Sequence, residues 1–408
     1  MTAPASNWVG RRCEAEVGPV AHGGHCVARV DGRVVFVRHA LPGEQVRLEV
    51  TWDNGGSFCR ADAVEILRAS PDRVAPVCPV SGPGGCGGCD FQHVTPAAQR
   101  SLKSDVVAEQ LSRLAGLEWP VEVLELPGGP LRWRTRARLA VDDAGLPGFR
   151  AQHAHRVIPV DDCPITESGA LDGVLAPGYP PGGEVEVALD DEERQHVAVV
   201  APRRSGRRGA PSQVRGDGVA VQHAAGRTWR LSAREFWQVH RHAAEVLAET
   251  VAEFSSARPG SSAWDLYGGA GLFGSVLARQ VGPDGSVVVV ESARRSVEDG
   301  RRNLEDLAQV RFVVGRVERL VPARRLRPAR PDVVVLDPPR AGAGRAVVDG
   351  VAAAGPGRVV YVACDPAALA RDVALFGGHG YRLADLRAYD AFPMTHHIEC
   401  VALLERTG

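Results

Sequence analysis

Hydrophobic and polar positions alternate with different periods along this chain. Over residues 14–67, short apolar stretches such as Val34-Val35-Phe36-Val37 and 45–50 alternate at strand period and are separated by turns such as Leu41-Pro42-Gly43-Glu44. Short, evenly spaced strands of this kind predict a small β-barrel. Over residues 96–117, Leu102, Val106, Val107, Leu111 and Leu114 recur at helical intervals behind Thr95, which predicts an amphipathic helix with a capped start. Over 131–141 arginines and apolar residues interleave at period two, as in a strand with one cationic face. From about Arg227 onward the pattern changes to apolar strands alternating with helices, the signature of a parallel α/β sheet.

Within that last segment, 262–267 reads as a strand, Gly268-Gly269-Ala270-Gly271 as a glycine turn and 272–280 as a helix. The next strand, 286–291, is closed by Glu291. Glycines let a cofactor approach the backbone, and a carboxylate ending the second strand can accept from both ribose hydroxyls. Gly269, Gly271 and Gly274 fit the dinucleotide fingerprint only loosely, and Asp265 ahead of the turn suits S-adenosylmethionine better. A further buried strand ends in Asp337-Pro338-Pro339-Arg340 and aims Asp337 at the same crevice. The strand 358–363 delivers Cys364 at its carboxyl end, where open α/β sheets bind their ligands, and a helix follows over 366–376. A last strand, 397–405, carries Glu399 near its start. Taken alone, a cysteine at a strand end is more often a small buried hydrophobe than a nucleophile. A lone glutamate at a strand start more often faces solvent.

A length of 408 residues suggests two or three domains, here 1–68, 69–225 and 226–408. Lys and Arg number 48 against 49 Asp and Glu, so the molecule is not a polyelectrolyte binder and any nucleic-acid surface must come from local clusters. The barrel segment carries Arg29, Arg33, Arg38, Arg47 and Arg60; Arg132, Arg134, Arg136 and Arg138 share one face of a predicted edge strand, where phosphate contact is the expectation. Arg203-Arg204 and Arg207-Arg208, set in Ser, Gly and Pro up to Gly218, read as a flexible surface loop without chemistry. No apolar run approaches ~18 residues and no apolar segment follows Arg11-Arg12, so no membrane span or secretory signal is indicated. A cytoplasmic location is expected, where thiols stay reduced. Among the nine cysteines, Cys78, Cys86, Cys89 and Cys163 lie in a Gly/Pro setting with a Cys-x2-Cys hook, a plausible cage for zinc or an iron–sulfur cluster.

The stretch Val37-Arg38-His39-Ala40-Leu41-Pro42-Gly43-Glu44 resembles the TRAM domain of RNA-modifying enzymes. Phe236-Trp237-Gln238-Val239, Asp265-Leu266-Tyr267-Gly268-Gly269-Ala270-Gly271, Val290-Glu291, Asp337-Pro338-Pro339-Arg340, Tyr361-Val362-Ala363-Cys364-Asp365-Pro366 and His397-Ile398-Glu399 together resemble the RNA uracil-5 methyltransferase family. That resemblance covers nearly the whole chain. It implies an N-terminal TRAM-like β-barrel, a central α+β domain with an iron–sulfur site and a C-terminal Rossmann-like class I methyltransferase domain. It also implies methylation of uridine C5 in RNA, with Gln238, Tyr267, Glu291 and Asp337 contacting S-adenosylmethionine, Cys364 as nucleophile and Glu399 as base. Cys78, Cys86, Cys89 and Cys163 would hold a [4Fe-4S] cluster, as in the family's ribosomal members.

The sequence departs from the family at Asp365, usually asparagine, at Gly268, commonly cysteine, and at Leu272, where some members place a cofactor-binding asparagine. The spacing from Cys78 to Cys86 is also longer than is familiar. A barrel together with the four-cysteine set is associated with ribosomal-RNA enzymes, so ribosomal RNA is expected ahead of transfer RNA, and a monomer is expected. His396 and His397 read as structural or RNA-facing. The chemistry supports the residue types independently. C5 of uracil is too poor a nucleophile to take a methyl group until a thiolate adds to C6, and a base must then remove the C5 proton. The base must also leave its stack to reach both groups. Two alternatives are an RNA-binding protein with an inactive methyltransferase domain and a methyltransferase for another base. The joint presence of Cys364, Glu399, Asp337 and the glycine turn disfavours the first, and an amine methyltransferase needs no cysteine paired with a late glutamate.

Overall fold

The computed structural model of the chain describes residues 7–152, 154–202 and 209–407. The paired arginines at 203–204 and 207–208 lie outside the described residues. The N-terminal unit is a six-stranded sheet of β1 (Arg12–Glu16), β2 (Val20–Ala21), β3 (His25–Val30), β4 (Arg33–Arg38), β5 (Gln45–Asp53) and β6 (Phe58–Arg68), in the order β1-β5-β6-β4-β3-β2. It curls until β1 meets β3. Alternation sends Val35, Val37, Val46, Leu48, Val50, Cys59 and Ala61 inward, each at most 1% exposed. Burying such side chains contributes roughly 1.5–3 kcal/mol for each full-sized one.

The turn Leu41-Pro42-Gly43-Glu44 follows from its residues. Pro42 fixes the second position and Gly43 takes φ +82°, a combination that only glycine tolerates freely. Glu44 then folds back, accepting from the Leu41 and Ser70 amides and from the Arg73 guanidinium at 2.6–3.0 Å. The turn thereby anchors the chain leaving the barrel.

Next comes α1 (Pro96–Gln110), whose last turn widens into a π-helical segment, Leu111–Ala115. Leu102, Val107 and Leu111 are buried, whereas Leu114 is exposed. Thr95 stands at the start but makes no side-chain cap; its hydroxyl bonds Asp72 instead. The helix packs on the C-terminal domain, and Lys103, fully buried, bonds Asp390 at 2.5 Å. The short strand β7 (Val123–Glu125) then joins the C-terminal sheet.

The middle sheet comprises β8 (Arg136–Val141), β9 (Pro147–Arg150), β10 (Val157–Pro159), β11 (Glu184–Leu189), β12 (Gln195–Val200) and β13 (Pro211–Arg215), all antiparallel, in the order β10-β9-β8-β11-β12-β13. Two expectations are corrected here. β8 lies inside this sheet, not at its edge. Part of the stretch read as a loop up to Gly218 is the edge strand β13. Its five residues are all exposed, so it carries no alternation to reveal it. The hairpin β14 (Val219–Ala224) and β15 (Arg227–Ser232) leads into the last domain.

That domain holds α2 (Ala243–Ser255), β16 (Ser262–Leu266), α3 (Leu272–Val281), β17 (Ser286–Glu291), α4 (Arg294–Asn303), β18 (Val310–Val314), α5 (Val317–Leu320), β19 (Val333–Leu336), α6 (Gly344–Ala354), β20 (Arg358–Ala363), α7 (Pro366–Gly377), β21 (Tyr381–Asp390) and β22 (Glu399–Arg406). The sheet runs β18-β17-β16-β19-β20-β22-β21-β7. Its first five strands are parallel, and β22 is antiparallel to β20. Val287, Val289, Val333, Val335, Val360 and Val362 face one apolar layer; Val288, Val290, Val334, Leu336, Val359 and Tyr361 face the other. Helices cover both faces, which is why these strands read as continuous apolar runs. Among the described residues no helix is long and apolar enough to cross a membrane.

Candidate active site

Parallel strands bring their carboxyl ends to one edge, and strand order reverses about β16, so the crevice forms there. β16 delivers Asp265 and Tyr267, β17 delivers Glu291, β19 is followed by Asp337 and β20 by Cys364. Because β22 runs the other way, its beginning lies at this same edge. The register pairs Ala363 with Cys400, which sets Glu399 beside the end of β20. A cleft of about 940 Å³ is lined by Gln238, Tyr267, Glu291, Asp337, Cys364 and Glu399 together.

The glycine turn is sterically fixed. A Cβ on Gly268 would lie 2.5 Å from Val289 Cγ1 and 2.6 Å from Asp265 Oδ2, so the side chain common at this position in the family has no room here. Tyr267 adopts φ +64° and donates its hydroxyl to Glu318 at 3.1 Å. Glu291 accepts from the Gly269 amide at 3.2 Å and the Ala293 amide at 2.6 Å. Asp265 is completely buried; one oxygen accepts from the Gly274 amide at 2.7 Å and the other has no hydrogen-bond partner.

The electrostatics are one-sided. Burial, then Asp337 and Glu291, push Asp265 up to about 7. Burial and Glu291 raise Asp337; burial and Asp337 raise Glu399, with Arg340 opposing. The Cys364 thiol is pushed up to about 12 by burial, then Glu399, then Asp337. Glu291, Asp337 and Glu399 line the cleft and the unpartnered Asp265 oxygen is buried outside its lining, so this group of carboxylates is short of positive charge. The residues therefore fit S-adenosylmethionine, whose sulfonium and ammonium groups would relieve that shortage.

Glu399 is 4% exposed, against the expectation that a glutamate at a strand start faces solvent. His397 accepts from Arg340 at 3.2 Å, and burial, then His396 and Arg340, push it down to about 3. His396 bonds Asp90, which also takes Arg38 of the barrel at 2.8 Å. Sequence reasoning missed two residues as site groups. Phe236, 69% exposed, lines the cleft while its neighbour Trp237 turns inward onto Trp229. Arg340 lines the cleft with Cys364 and bonds His397. An exposed aromatic carries no signal that separates it from a core one.

The basic strand expected to hold phosphate is largely spent within the protein. Arg132 bonds Asp162, Arg136 donates to the Ala233 and Glu235 carbonyls, and Arg138 pairs with Glu186. Arg134 alone of the four lines the cleft. On the barrel, Arg33 pairs with Asp53, Arg38 with Asp90, and Arg47 with Glu14 and Glu65.

Cys78, Cys86, Cys89 and Cys163 line one cavity with Val80, Gln92, Phe149 and Ile165. Burial raises Cys78 and Cys86 and pushes Cys89 up to about 12; the neighbouring thiols raise all three further. The Gly88 amide points at Cys86 Sγ at 3.4 Å and Gln92 at Cys89 Sγ at 3.5 Å. Among the described residues, however, no three His, Cys, Asp or Glu side chains are placed to hold a metal ion. The expected metal cage is thus a convergence of thiols and not a formed coordination site.

The sheet order, the glycine turn and the acid closing the second strand define a class I methyltransferase domain. Residues 227–407 match the family described as tRNA (Uracil-5-)-methyltransferase, and residues 8–64 match the TRAM domain. A protein of Streptomyces avermitilis named "Uncharacterized RNA methyltransferase" is 44% identical over 97% of this chain and 99% of its own length. The 23S rRNA (uracil(1939)-C(5))-methyltransferase RlmD of Alkalilimnicola ehrlichii is 34% identical over 96% of each. The crystal structure of Pyrococcus abyssi tRNA (uracil-54, C5)-methyltransferase in complex with S-adenosyl-L-homocysteine shares the fold, with TM-score 0.72, 23% identity and coverage of 96% of this chain and 100% of that one. The chain belongs to the RNA uracil-5 methyltransferase family. It is an RNA methyltransferase of the S-adenosylmethionine-dependent type.

Proposed function

We propose that this protein methylates C5 of uridine in ribosomal RNA, with Cys364 as nucleophile and Glu399 as base. The observation that carries this is the meeting of Cys364 and the buried Glu399 at the ends of two paired strands, in the cleft that also holds Gln238, Tyr267, Glu291 and Asp337. S-adenosylmethionine supplies the methyl group when bound, and these last four residues would contact it. The Cys364 thiolate adds to C6 of a flipped uracil and makes C5 enolate-like, so that C5 takes the methyl group. Glu399, kept from bulk water, removes the C5 proton; the C5–C6 double bond reforms and the carbon–sulfur bond breaks, returning the thiolate. Arg340 is placed to favour both anions, since it opposes the rise at Cys364 and at Glu399. Mapping 5-methyluridine by mass spectrometry in RNA from cells lacking and regaining the gene tests this. No site lost and restored with the gene would leave an RNA-binding protein with an inactive domain.

Ribosomal RNA is preferred over transfer RNA on two grounds: likeness to a 23S rRNA enzyme along the whole length, and a barrel that lengthens the RNA track. The protein, acting as a monomer with its barrel (1–68) and middle segment (69–225) holding RNA against the catalytic domain (226–408), is expected to methylate naked 23S fragments in preference to unmodified transfer RNA. Direct competition with labelled methyl donor measures this, and a preference for transfer RNA reverses the assignment.

The four thiols are proposed to hold a [4Fe-4S] cluster. All four line one cavity, Gly88 and Gln92 offer N–H groups to sulfur, and Gly88 and Arg134 line both this cavity and the cleft. Anaerobically purified protein is expected to be brown, with iron and acid-labile sulfide near about four of each per chain. Cys163→Ser should lose the colour and destabilise the middle sheet, because Cys163 joins segments distant in sequence. Colourless protein with stoichiometric zinc, or with no metal, contradicts the cluster.

A further inference from the structure

Outward positions of a small barrel are ordinarily polar, yet four adjacent strands here turn aromatic rings outward. Alternation sends Cys26 and Ala28 of β3, Val35 and Val37 of β4, Cys59 and Ala61 of β6, and Leu48 and Val50 of β5 into the core. The same alternation leaves His25, Phe36 and Phe58 on the other face, outside that core, and the bulge between Val50 and Trp52, which interrupts the alternation of β5, turns Trp52 to that face as well. They form one row. Trp52 lies 5.6 Å from Phe58, Phe58 lies 5.4 Å from Phe36, and Phe36 lies 6.2 Å from His25, between ring centroids. Arg60, the register partner of both Trp52 and Phe36, sets its guanidinium 5.3 Å from the Trp52 ring.

The row leads to the catalytic cysteine. After His25 comes the turn before β3, where a Cβ on Gly24 would lie 2.6 Å from His396 Cβ, so the turn rests directly on the catalytic domain. His22 of this turn bonds Asp365, the residue after Cys364, at 3.1 Å. Beneath the turn is a cavity of about 240 Å³ lined by His22, Gly24, Arg340, Cys364, Asp365 and His397. It shares Arg340, Cys364 and His397 with the large cleft, so Cys364 stands where the two meet. His25 Nε2 is buried without a hydrogen-bond partner. Burial, then Arg38 and Arg60, push that ring down to about 4, leaving it neutral and able to accept or donate.

We propose that this row is a stacking track for single-stranded RNA continuous with the target uridine, and that the turn at 22–24 hands the strand from the barrel to Cys364. Rings suit the task because every base presents a π-face, while Arg60 and the exposed Arg29 supply positive charge for the backbone. The proposal rests on the assignment of the site as an RNA methyltransferase centre and names where the flanking nucleotides lie.

The test is fluorescence anisotropy with labelled oligouridylates of about 4, 8 and 12 nucleotides, lengths within the ~4–16 that such barrels cover. Salt is held constant, because phosphate contacts vary steeply with it. Wild-type protein should bind the longest probe at least about tenfold more tightly than the shortest, the scale of one or two stacked bases. Trp52→Ala and Phe36→Ala should each lose about tenfold on the longest probe and little on the shortest, and Trp52→Phe should restore most of the loss. S-adenosylmethionine titration checks that each variant is folded. Independently of any variant, a 4-thiouridine probe irradiated on the wild-type protein should crosslink to peptides containing Trp52, Phe36 or Phe58. Unchanged binding by both alanine variants, or crosslinks confined to other surfaces, overturns the track. Methylation assays run in parallel separate the two ideas: a working track without 5-methyluridine in any RNA defeats the catalytic assignment alone, and active enzyme indifferent to the rings defeats the track alone.

Discussion

Cys364→Ala is expected to lower methyl transfer by on the order of 10⁶, the scale on which removal of a nucleophile acts in other enzymes. S-adenosylmethionine binding should stay within about twofold, because the thiol acts on the base and because the carboxylates that suit the cofactor remain. Tritium transfer to RNA and calorimetric titration measure the two effects separately. The wild-type pH profile should share this origin. The reactive species is the thiolate, yet burial, Glu399 and Asp337 push the thiol up to about 12. The thiol is therefore the resting form at neutral pH, and each pH unit gained below that value raises the thiolate fraction about tenfold. Log kcat/KM, which reports the free enzyme, should climb with a slope near one from neutral into the alkaline range. A cation in the cleft should lower the same barrier. Alkylation of Cys364 by iodoacetamide should be faster with sinefungin, which carries an ammonium near the sulfonium position, than with neutral S-adenosylhomocysteine. Methyl transfer by Cys364→Ala at near wild-type rate would remove Cys364 from the mechanism.

How much of this is visible in the sequence depends on what each strand encodes. β17, β19 and β20 are buried on both faces and read as Val-rich apolar runs, so the position of Glu291, Asp337 and Cys364 at their carboxyl ends is legible. Glu399 is not legible in the same way. Its burial arises from the reversed direction of β22 and its register against β20, and one strand's residues do not encode the direction of its neighbour. The arginines at 132, 134, 136 and 138 show the opposite limit: their spacing reveals a common face, but Asp162, the Ala233 carbonyl and Glu186, which occupy three of them, come from remote segments. Trp52 continues the period of the core residues Val46, Leu48 and Val50, and only the assembled sheet, with its bulge after Val50, shows that this ring points away from the core. Glu44, by contrast, announces its turn through the adjacent Pro42-Gly43 pair, a purely local device.

Glu399→Gln is expected to separate methyl transfer from release. The amide keeps the shape of the side chain and removes the base, so addition of Cys364 to C6 and methylation at C5 proceed while loss of the C5 proton slows by about 10²–10⁴. The carbon–sulfur bond breaks only as that proton leaves, so methylated RNA should accumulate covalently attached to the protein. Denaturing gels should show a shifted, methyl-labelled band within the first turnover, absent from Cys364→Ala and from the double variant. The substitution has a second consequence that works in the same direction. Glu399 is the largest charged contributor raising the Cys364 thiol, so its neutralisation eases thiolate formation and favours the adduct. Wild-type protein given RNA containing 5-fluorouridine should form the same band for a related reason, since fluorine cannot leave C5 as a cation. If Glu399→Gln turns over at the wild-type rate, with no adduct, another group takes the proton and Glu399 is only a buried neighbour of the nucleophile. If the variant forms no methylated product and no adduct, the glutamate is needed before C5 is methylated, and the assigned order of steps fails.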